Sequence, residues 1–221
     1  MSTDGATSWH DPDRVEGYLD RVDRLAPRRA GEQALVEVLP DRVERVLDLG
    51  CGDGRLAALV LEHRPDVAEV VCVDVSEAML ERARRRFVGE PRARVVVHDL
   101  VDPVDGWGEF DAVVSGFAIH HLDHGRKRTL FGEIARRLRP GGVFANLEVV
   151  ESATPRRHQE FLDAIGRPAD DPEDRLAPIS DQLEWMSAAG LDQVECIWRW
   201  RGFALLVGER AATGPAGRQR V

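Results

Sequence analysis

Short apolar runs alternate with segments of helical periodicity through the middle of the chain. Strands are predicted where β-branched and other apolar residues cluster, at 45–49, 69–74, 93–98, 110–115 and 143–150. Apolar residues recur every three or four positions between them, which predicts helices at 55–62, 77–88 and 125–138. Because crossover helices join parallel strands and cover both faces of a sheet, this alternation predicts an α/β fold with a parallel sheet.

Two helices are predicted before the first strand. The first spans 11–25, and the second spans 28–39 beyond an interruption by Pro27. Since they precede the first strand, we expect them to lie outside the central sheet, as a cap over its edge or over a ligand pocket.

The pattern changes again after the fifth strand. Helices are predicted at 158–165 and at 180–189, the second with Ser180 as its N-cap. The last two strands, at 193–200 and 203–208, are separated by only two residues. So short a connection permits a hairpin but not a parallel crossover, and the sheet is therefore expected to end in an antiparallel strand.

The glycine-rich stretch after the first strand is the first candidate for chemistry. Gly50, Gly52 and Gly54 stand at alternate positions between an apolar strand and a helix. Glycine is needed where the backbone takes a positive φ or approaches a ligand closely. The helix that follows presents backbone N–H groups and the positive end of its dipole. We therefore predict that this turn binds a small polar ligand at the carboxyl end of the strand.

Composition narrows the possible partners. The chain carries 39 acidic and 30 basic residues, and its formal net charge of −9 argues against a broad nucleic-acid surface. No run of 18 apolar residues predicts a membrane span, and the first residues lack the basic and apolar regions of a signal peptide. Cys51, Cys72 and Cys196 form no C-x-x-C pair. This cysteine pattern favours reduced thiols and a cytoplasmic location.

The residues around the turn indicate which ligand it binds. A dinucleotide site has the pattern G-x-G-x-x-G, whereas here the third glycine comes one residue early, and no G-x-x-x-x-G-K-[ST] phosphate loop is present. Asp48 precedes the turn, where a carboxylate disfavours a pyrophosphate and favours a cation. Asp74 ends the second strand, where it could bind ribose hydroxyls, and Asp99 follows the third, where it could accept from an adenine amine. These residues predict an adenosine ligand with positive charge and no phosphate.

The order and spacing of these residues resemble those of a known family. Five stretches resemble, in their order and spacing, the motifs of the class I S-adenosylmethionine-dependent methyltransferases: 46–56, Asp74, Asp99 with Leu100, 110–122 and 138–142. The resemblance covers roughly residues 43–150 and is greatest to the small-molecule branch. It implies S-adenosylmethionine as the cofactor. It also implies a Rossmann-like, seven-stranded, mostly parallel sheet with an antiparallel last strand, helices on both faces and a helical cap.

The resemblance also divides the chain. We expect a single methyltransferase domain over 9–210, made of an N-terminal helical cap (9–40), a cofactor-binding core (43–150) and substrate-side helices with the terminal hairpin (151–210). Residues 1–8 are expected to be a disordered start and residues 211–221 a flexible tail.

For the methionine half of the cofactor, the resemblance implies contacts from the first and fourth strands. Gly50, Cys51 and Gly52 would approach the methionine through their backbone, and Asp48 would lie near its amino group. The residues that would lie under the sulfonium and the transferring methyl are Ser115, Gly116 and Phe117.

For the adenosine half, the resemblance implies contacts from the second and third strands. Asp74 would bind the ribose hydroxyls, and Val75 and Met79 would flank the adenine ring. Asp99 and Leu100 would contact the edge of the adenine.

Residues at the ends of the fourth and fifth strands are the candidates for catalysis. Methyl transfer needs a base only if the acceptor oxygen or nitrogen arrives protonated. His120 and His121 follow the fourth strand, and Glu148 lies in the fifth with Glu151 just beyond it. Histidine has the appropriate ordinary pKa, so we predict His120, His121 and Glu148 as catalytic. Because adjacent residues point in different directions, at most one of the two histidines is expected to face the substrate.

Aromatic residues outside the shared motifs are the candidates for acceptor specificity. Tyr18, Phe161 and Trp185 belong to helices that flank the core, and aromatic side chains commonly line ligand pockets. Trp198 and Phe203 lie in the terminal hairpin, where a role in the core is the expectation.

The predicted function is transfer of a methyl group to an oxygen or nitrogen of a small molecule, with no nucleic-acid or membrane partner. The alternatives are a tRNA-modifying methyltransferase-like enzyme, an NAD-dependent oxidoreductase and a non-catalytic cofactor-binding protein. His121, Asp123 and His124 are also close in sequence, but loop clusters of this kind are usually solvated, and no metal is predicted.

Overall fold

The protein was analysed as a computed structural model, which describes Gly17 and residues 25–212. The predicted disordered start at 1–8, Tyr18 and nearly all of the predicted helix at 11–25 lie outside the described residues. The same is true of residues 213–221 in the predicted tail.

Seven strands form one sheet in the order β3-β2-β1-β4-β5-β7-β6. The strands are β1 (Arg45–Leu49), β2 (Glu69–Asp74), β3 (Ala93–Val97), β4 (Phe110–Gly116), β5 (Leu138–Val149), β6 (Asp192–Trp200) and β7 (Phe203–Glu209). The pairs among β1 to β5 are parallel, and β7 runs antiparallel to both of its neighbours, β5 and β6. The predicted fold class, including the reversed last strand, is confirmed.

Helices cover both faces of the sheet because successive strand residues point to opposite sides. The helices are α1 (Ala26–Glu37), α2 (Arg55–His63), α3 (Glu77–Arg86), α4 (His124–Arg137), α5 (Pro155–Ala164) and α6 (Ile179–Ala188). In β1, Val46 packs with α1, α2 and α3, whereas Leu47 packs with α4 and α6. Helix α5 joins a smaller cluster in which Phe161 packs against Phe203. None of the helices within the described residues is long and apolar enough to cross a membrane.

Strand β1 lies where the order of the strands reverses. It pairs with β2 on one side and with β4 on the other. The connections from these strands therefore leave in opposite directions and open a crevice at their carboxyl ends, which is where ligands bind in open α/β sheets. The division of the chain into cap, core and substrate side stays a prediction.

Two helix starts differ from the prediction. Helix α1 begins at Ala26 and holds Pro27 in its first turn, where the missing N–H has no helical partner to lose. Pro27 therefore belongs to the first turn of this helix, which begins two residues earlier than predicted. Helix α6 begins at Ile179 without a capping side chain, and the Ser180 hydroxyl lies 3.1 Å from a carboxylate oxygen of Asp181. The prediction of Ser180 as an N-cap is wrong.

The fifth strand also begins earlier than predicted. Leu138 pairs with Phe110, and Val143 pairs with Ala112, so residues 139–142 bulge out of a continuous strand. Pro140, Gly141 and Gly142 lie in this bulge. A bulge and a turn use the same residue types, and only strand pairing distinguishes them.

Candidate active site

The glycine-rich turn after β1 brings backbone close to two neighbouring elements. Gly50 and Gly52 have φ values of 66° and 54°. A Cβ atom at Gly50 would lie 2.2 Å from Cβ of Ala118, in the segment after β4, so no side chain fits there. The N–H of Cys51 donates to the carbonyl of Val73 at 2.9 Å, which ties the turn to β2.

This turn forms one wall of a cavity of about 180 Å³, which we call the glycine-turn cavity. Most of the predicted cofactor residues line it: Asp48, Gly50, Cys51, Gly52, Asp74, Val75, Met79, Asp99, Leu100, Gly116 and Phe117. Ser115 is the exception. It is fully buried and its hydroxyl donates to the carbonyl of Leu49 at 2.8 Å, so the structure does not bring it to the cavity.

Asp74, the last residue of β2, links the glycine-rich turn to the turn that precedes α3. One carboxylate oxygen accepts from the N–H of Gly52 and the other from the N–H of Ser76, both at 2.8 Å. A carboxylate oxygen has two lone pairs and can accept more than one hydrogen bond. The same side chain therefore shapes the glycine-rich turn and presents acceptors to the glycine-turn cavity.

Asp48 is a buried carboxyl group beneath the turn. Its Oδ2 accepts from the N–H of Ala57 at 3.1 Å, and its Oδ1 has no hydrogen-bond partner within residues 25–212. The pKa of Asp48 is raised to about 8, mainly by burial; the hydrogen bond from Ala57 lowers this pKa, and the negative charges of Asp74 and Asp53 raise it. A cationic group in the glycine-turn cavity would favour the ionised carboxylate.

A second cavity of about 70 Å³, the adjoining cavity, shares Arg28, Phe117 and His121 with the glycine-turn cavity. Its apolar wall consists of Leu25, Phe117, Val149, Phe161, Ile165 and Phe203. Its polar wall consists of Arg28, His120, His121, Arg167, Asp170, Asp171 and Asp174. A ligand with an apolar body and a polar end would match these two walls of the adjoining cavity.

Phe117 forms the boundary between the two cavities. It is one of three described residues other than glycine with a positive φ, at 59°. Its N–H donates to the carbonyl of Leu147 at 2.7 Å, and its ring packs edge-on against Phe203. The Arg28 guanidinium lies 4.9 Å from the centre of the Phe117 ring. These contacts on both sides therefore stabilise Phe117 in a backbone conformation that is disfavoured for phenylalanine.

A histidine–carboxylate pair lies at the polar end of the adjoining cavity. His120 belongs to a single 3₁₀ turn, Ile119–His121, and its Nδ1 lies 2.6 Å from Oε1 of Glu148 in β5. Glu148 is fully buried and does not line the cavity, so it reaches the cavity only through His120. The Nε2 atom of His120 lies 3.4 Å from Oδ1 of Asp174.

The loop that carries Asp174 is fixed against the histidine turn. The N–H of Arg175 donates to the carbonyl of His120 at 2.8 Å. Lys127, the one lysine of the chain, donates from Nζ to the carbonyls of His120 and Arg175. Burial lowers the pKa of Lys127, and burial also raises the pKa of Asp174.

Comparison with known proteins identifies a family whose profile includes the glycine-rich turn after β1. The sequence profile of a family described as a methyltransferase domain matches residues 46–142. This match contains the glycine-rich turn, Asp74, Asp99 and the histidine turn. Residues 46–142 therefore carry a methyltransferase domain. The resemblance seen in the sequence motifs is confirmed, and with it S-adenosylmethionine as the family's cofactor.

Similar methyltransferases come from several bacteria. A demethylmenaquinone methyltransferase of Leptospira interrogans is 40% identical over 114 residues, which are 50% of this chain and 45% of that protein. An uncharacterized methyltransferase of Mycobacterium tuberculosis is 36% identical over 118 residues, 53% of this chain and 55% of that protein. The chain thus spans about half the length of these relatives.

Solved methyltransferase structures share the fold at low identity. An O-methyltransferase family protein from Burkholderia thailandensis superimposes with a TM-score of 0.72 at 22% identity, covering 93% of this chain and 62% of that one. Human N-acetylserotonin methyltransferase superimposes with a TM-score of 0.67 at 15% identity, covering 92% of this chain and 58% of that one.

The aromatic residues predicted for specificity lie in different places in this chain. Phe161 and Phe203 line the adjoining cavity, although the hairpin position of Phe203 favoured a core role. Trp185 packs beside His124, with the Arg128 guanidinium 4.6 Å from its ring centre, away from both cavities. Trp198 packs in the cluster formed with α1, as expected for a core residue.

Two polar residues of the adjoining cavity escaped sequence analysis. Arg167 and Asp174 reach this cavity from the loop after α5, whereas Arg28 lines both cavities from α1. The acidic, proline-containing character of that loop was the available signal, but it gives no direction for any side chain. The loop cluster considered in the sequence is not assembled: Asp123 caps α4, and His124 contacts the carbonyl of Leu176.

Proposed function

We propose that this chain is a methyltransferase that moves a methyl group from S-adenosylmethionine directly to an oxygen or nitrogen of a small molecule bound in the adjoining cavity. The observation that carries the proposal is the shared wall: the glycine-turn cavity and the adjoining cavity meet at Phe117 and His121. In-line transfer requires donor and acceptor to occupy neighbouring spaces of this kind.

The glycine-turn cavity would hold the cofactor. Asp48 would receive the cationic amino group of its methionine part, because its buried Oδ1 has no hydrogen-bond partner within residues 25–212. Asp74 would accept from the ribose hydroxyls while it keeps its bonds to the turn. Val75, Met79, Asp99 and Leu100 line the side expected for adenine.

The adjoining cavity would hold the acceptor. Phe161 and Phe203 pack edge-on, with ring centres 5.1 Å apart, and offer an apolar wall for a flat or aliphatic body. His120 and His121 stand at the polar end, next to the shared wall. The Leptospira relative's name, demethylmenaquinone methyltransferase, supports a small-molecule acceptor. The acidic balance of this chain also favours a small molecule over tRNA.

The chain's own contribution to the reaction would be orientation and exclusion of water. When bound, S-adenosylmethionine supplies an electrophilic methyl group. Aligning the acceptor atom with that methyl supplies up to about 7–11 kcal/mol toward lowering the barrier. His120 and His121 would contact the acceptor's polar group, and Glu148 would keep His120 oriented through its 2.6 Å contact.

Binding and turnover measured on one preparation test the proposal. S-adenosylhomocysteine, the product, should bind to the full chain in calorimetry, and a panel of small phenols, quinones and amines should include one that gains labelled methyl. Failure to bind this product would overturn the proposal, and tighter binding of NAD would favour an oxidoreductase. Binding with no transfer to any acceptor, including tRNA, would indicate a non-catalytic protein.

A further inference from the structure

We propose that His120, His121 and Asp174 form a binding site for a divalent transition-metal ion such as zinc, with one coordination position open to the adjoining cavity. One potential ligand atom from each residue lies within 4.8 Å of the other two. The proposal that an ion binds here depends on these three residues alone. The role given to the ion below rests on the proposed function.

The spacing of the three ligand atoms fits a metal ion better than direct hydrogen bonds. Oδ1 of Asp174 lies 3.4 Å from Nε2 of His120 and 3.5 Å from Nδ1 of His121. Hydrogen bonds between nitrogen and oxygen are usually about 2.7–3.2 Å long. Ligand atoms about 2.0–2.1 Å from a tetrahedral zinc ion lie about 3.3–3.4 Å from one another. The two gaps to Asp174 therefore match edges of such a tetrahedron, and the two histidine nitrogens lie within 4.8 Å of each other.

The surroundings of His120 are those of a metal-binding histidine. Its Nδ1 faces Oε1 of buried Glu148 at 2.6 Å, so an N–H on Nδ1 would leave the Nε2 lone pair directed toward Asp174. Histidine ligands nearly always donate their second ring N–H to a carboxylate, a carbonyl or water. The N–H of Val149 also donates to Oε1 of Glu148, at 2.8 Å, and keeps that carboxylate in place.

Asp174 presents one oxygen to the site. Its side chain is 4% exposed, and its Oδ1 has no hydrogen-bond partner in the part of the chain that the structure describes. Its other oxygen accepts from the N–H of Asp171 at 3.2 Å and lies 3.6 Å from the Arg167 guanidinium. A buried carboxylate oxygen without a partner is costly, and a metal ion would provide one.

The backbone holds this arrangement before any ion binds. Arg175 donates from its N–H to the carbonyl of His120, and Lys127 bonds the carbonyls of both residues from one buried ammonium. The loop with Asp174 is therefore fixed relative to the turn with the two histidines. Two imidazoles and one carboxylate suit zinc, nickel, cobalt or iron, whereas magnesium and calcium prefer oxygen ligands.

Three protein ligands with one open position are typical of catalytic metal sites. In the proposed reaction, the ion would bind the acceptor oxygen and favour loss of its proton to water. The methyl carbon would then form a bond to that oxygen as its bond to sulfur breaks. The electron pair of that bond stays on sulfur, and S-adenosylhomocysteine leaves. His120 and His121 would act as ligands in this reaction, and neither would take the proton.

Metal titration of the full chain, without an affinity tag and dialysed against a chelator, tests the site. We expect one equivalent of Zn²⁺ to bind the native protein, and Co²⁺ to give visible absorption bands of a tetrahedral complex. His121→Gln and Asp174→Ala should each weaken Zn²⁺ binding at least tenfold. His124→Gln is the matched control, since His124 lies nearby but bonds the carbonyl of Leu176, and it should bind as the native protein does.

Circular dichroism and thermal unfolding of the same samples show whether each variant is folded, and the native protein is also titrated with S-adenosylhomocysteine. Absence of Zn²⁺ binding by the native protein would overturn the metal site, as would equal binding by His121→Gln. If the product binds and Zn²⁺ does not, the metal site alone fails and Nε2 of His120 becomes the acceptor's base. If Zn²⁺ binds and the product does not, the proposed methyl transfer fails and the metal site stands.

Discussion

Nδ1 of His120 lies 2.6 Å from Oε1 of Glu148, 28 residues away along the chain. The two residues meet because β4 and β5 are parallel neighbours and the histidine turn follows β4 directly. Glu148 touches neither cavity, so in the proposed reaction it would act on a bound acceptor only through the orientation of His120. This would make Glu148 a positioning residue.

Glu148→Gln should therefore slow methyl transfer about 10–100-fold, the usual effect of losing a carboxylate behind a functional histidine. The change should fall on kcat, and the affinity for S-adenosylhomocysteine in calorimetry should stay as in the native protein. Glu151→Gln is the control, because Glu151 is exposed and should tolerate the change. An equal loss of product affinity in Glu148→Gln would show that the effect is structural.

Asp74→Ala should weaken S-adenosylhomocysteine binding at least tenfold, since it removes the acceptors expected for the ribose hydroxyls. It also leaves the N–H groups of Gly52 and Ser76 without their acceptors, so the free energy of unfolding should fall by about 1–3 kcal/mol. Asp74→Asn keeps one acceptor oxygen and should lie between the native protein and the alanine variant in both measurements. Native affinity in the alanine variant would exclude the ribose contact.

Asp48 should make stability depend on pH. Its pKa is about 8 in the folded protein and near the ordinary 3.8 when unfolded. Between these two pKa values, Asp48 keeps its proton in the folded state and loses it in the unfolded state. The free energy of unfolding should therefore fall as pH rises through this range, by up to about 1.4 kcal/mol per pH unit. Asp48→Asn cannot ionise and should lack this contribution. Urea denaturation at pH 5 and pH 8 should show the asparagine variant gaining relative stability at pH 8.

Ligand affinity provides the second readout for Asp48. The native protein should bind S-adenosylhomocysteine more tightly as pH rises from 6 to 8, because the carboxylate that would face its amino group becomes ionised. Asp48→Asn should show a flatter profile and weaker binding at pH 8. Parallel profiles for the two proteins would place the amino group elsewhere.

Gly50→Ala should destabilise the protein more than Gly52→Ala. Both positions have positive φ, but a Cβ at Gly50 would lie 2.2 Å from Cβ of Ala118, while at Gly52 the nearest atom, Sδ of Met79, lies at 3.9 Å. The steric difference should amount to about 1–3 kcal/mol in urea denaturation. The double variant Gly50→Ala with Ala118→Gly should recover that difference and keep only the backbone strain, whereas additive losses would contradict the contact.

Local patterns in the sequence were enough to predict the five parallel strands, the glycine-rich turn and the carboxylates at the strand ends. These features depend on residues within one turn or one strand of each other. Asp48 and Gly52, four positions apart, could be placed near one ligand because a strand and a tight turn leave the chain little freedom between them.

The tertiary structure alone decided how the polar end of the adjoining cavity is built. Lys127 and Arg175 meet across 48 residues, and through that contact Asp174 comes to face two histidines from another part of the fold. The burial of Ser115 and the cavity position of Phe203 were likewise decided by packing. Hydrophobic periodicity indicates on which face of its own helix or strand a residue lies. Which element packs against that side depends on contacts between distant segments, and these form only when the chain is folded.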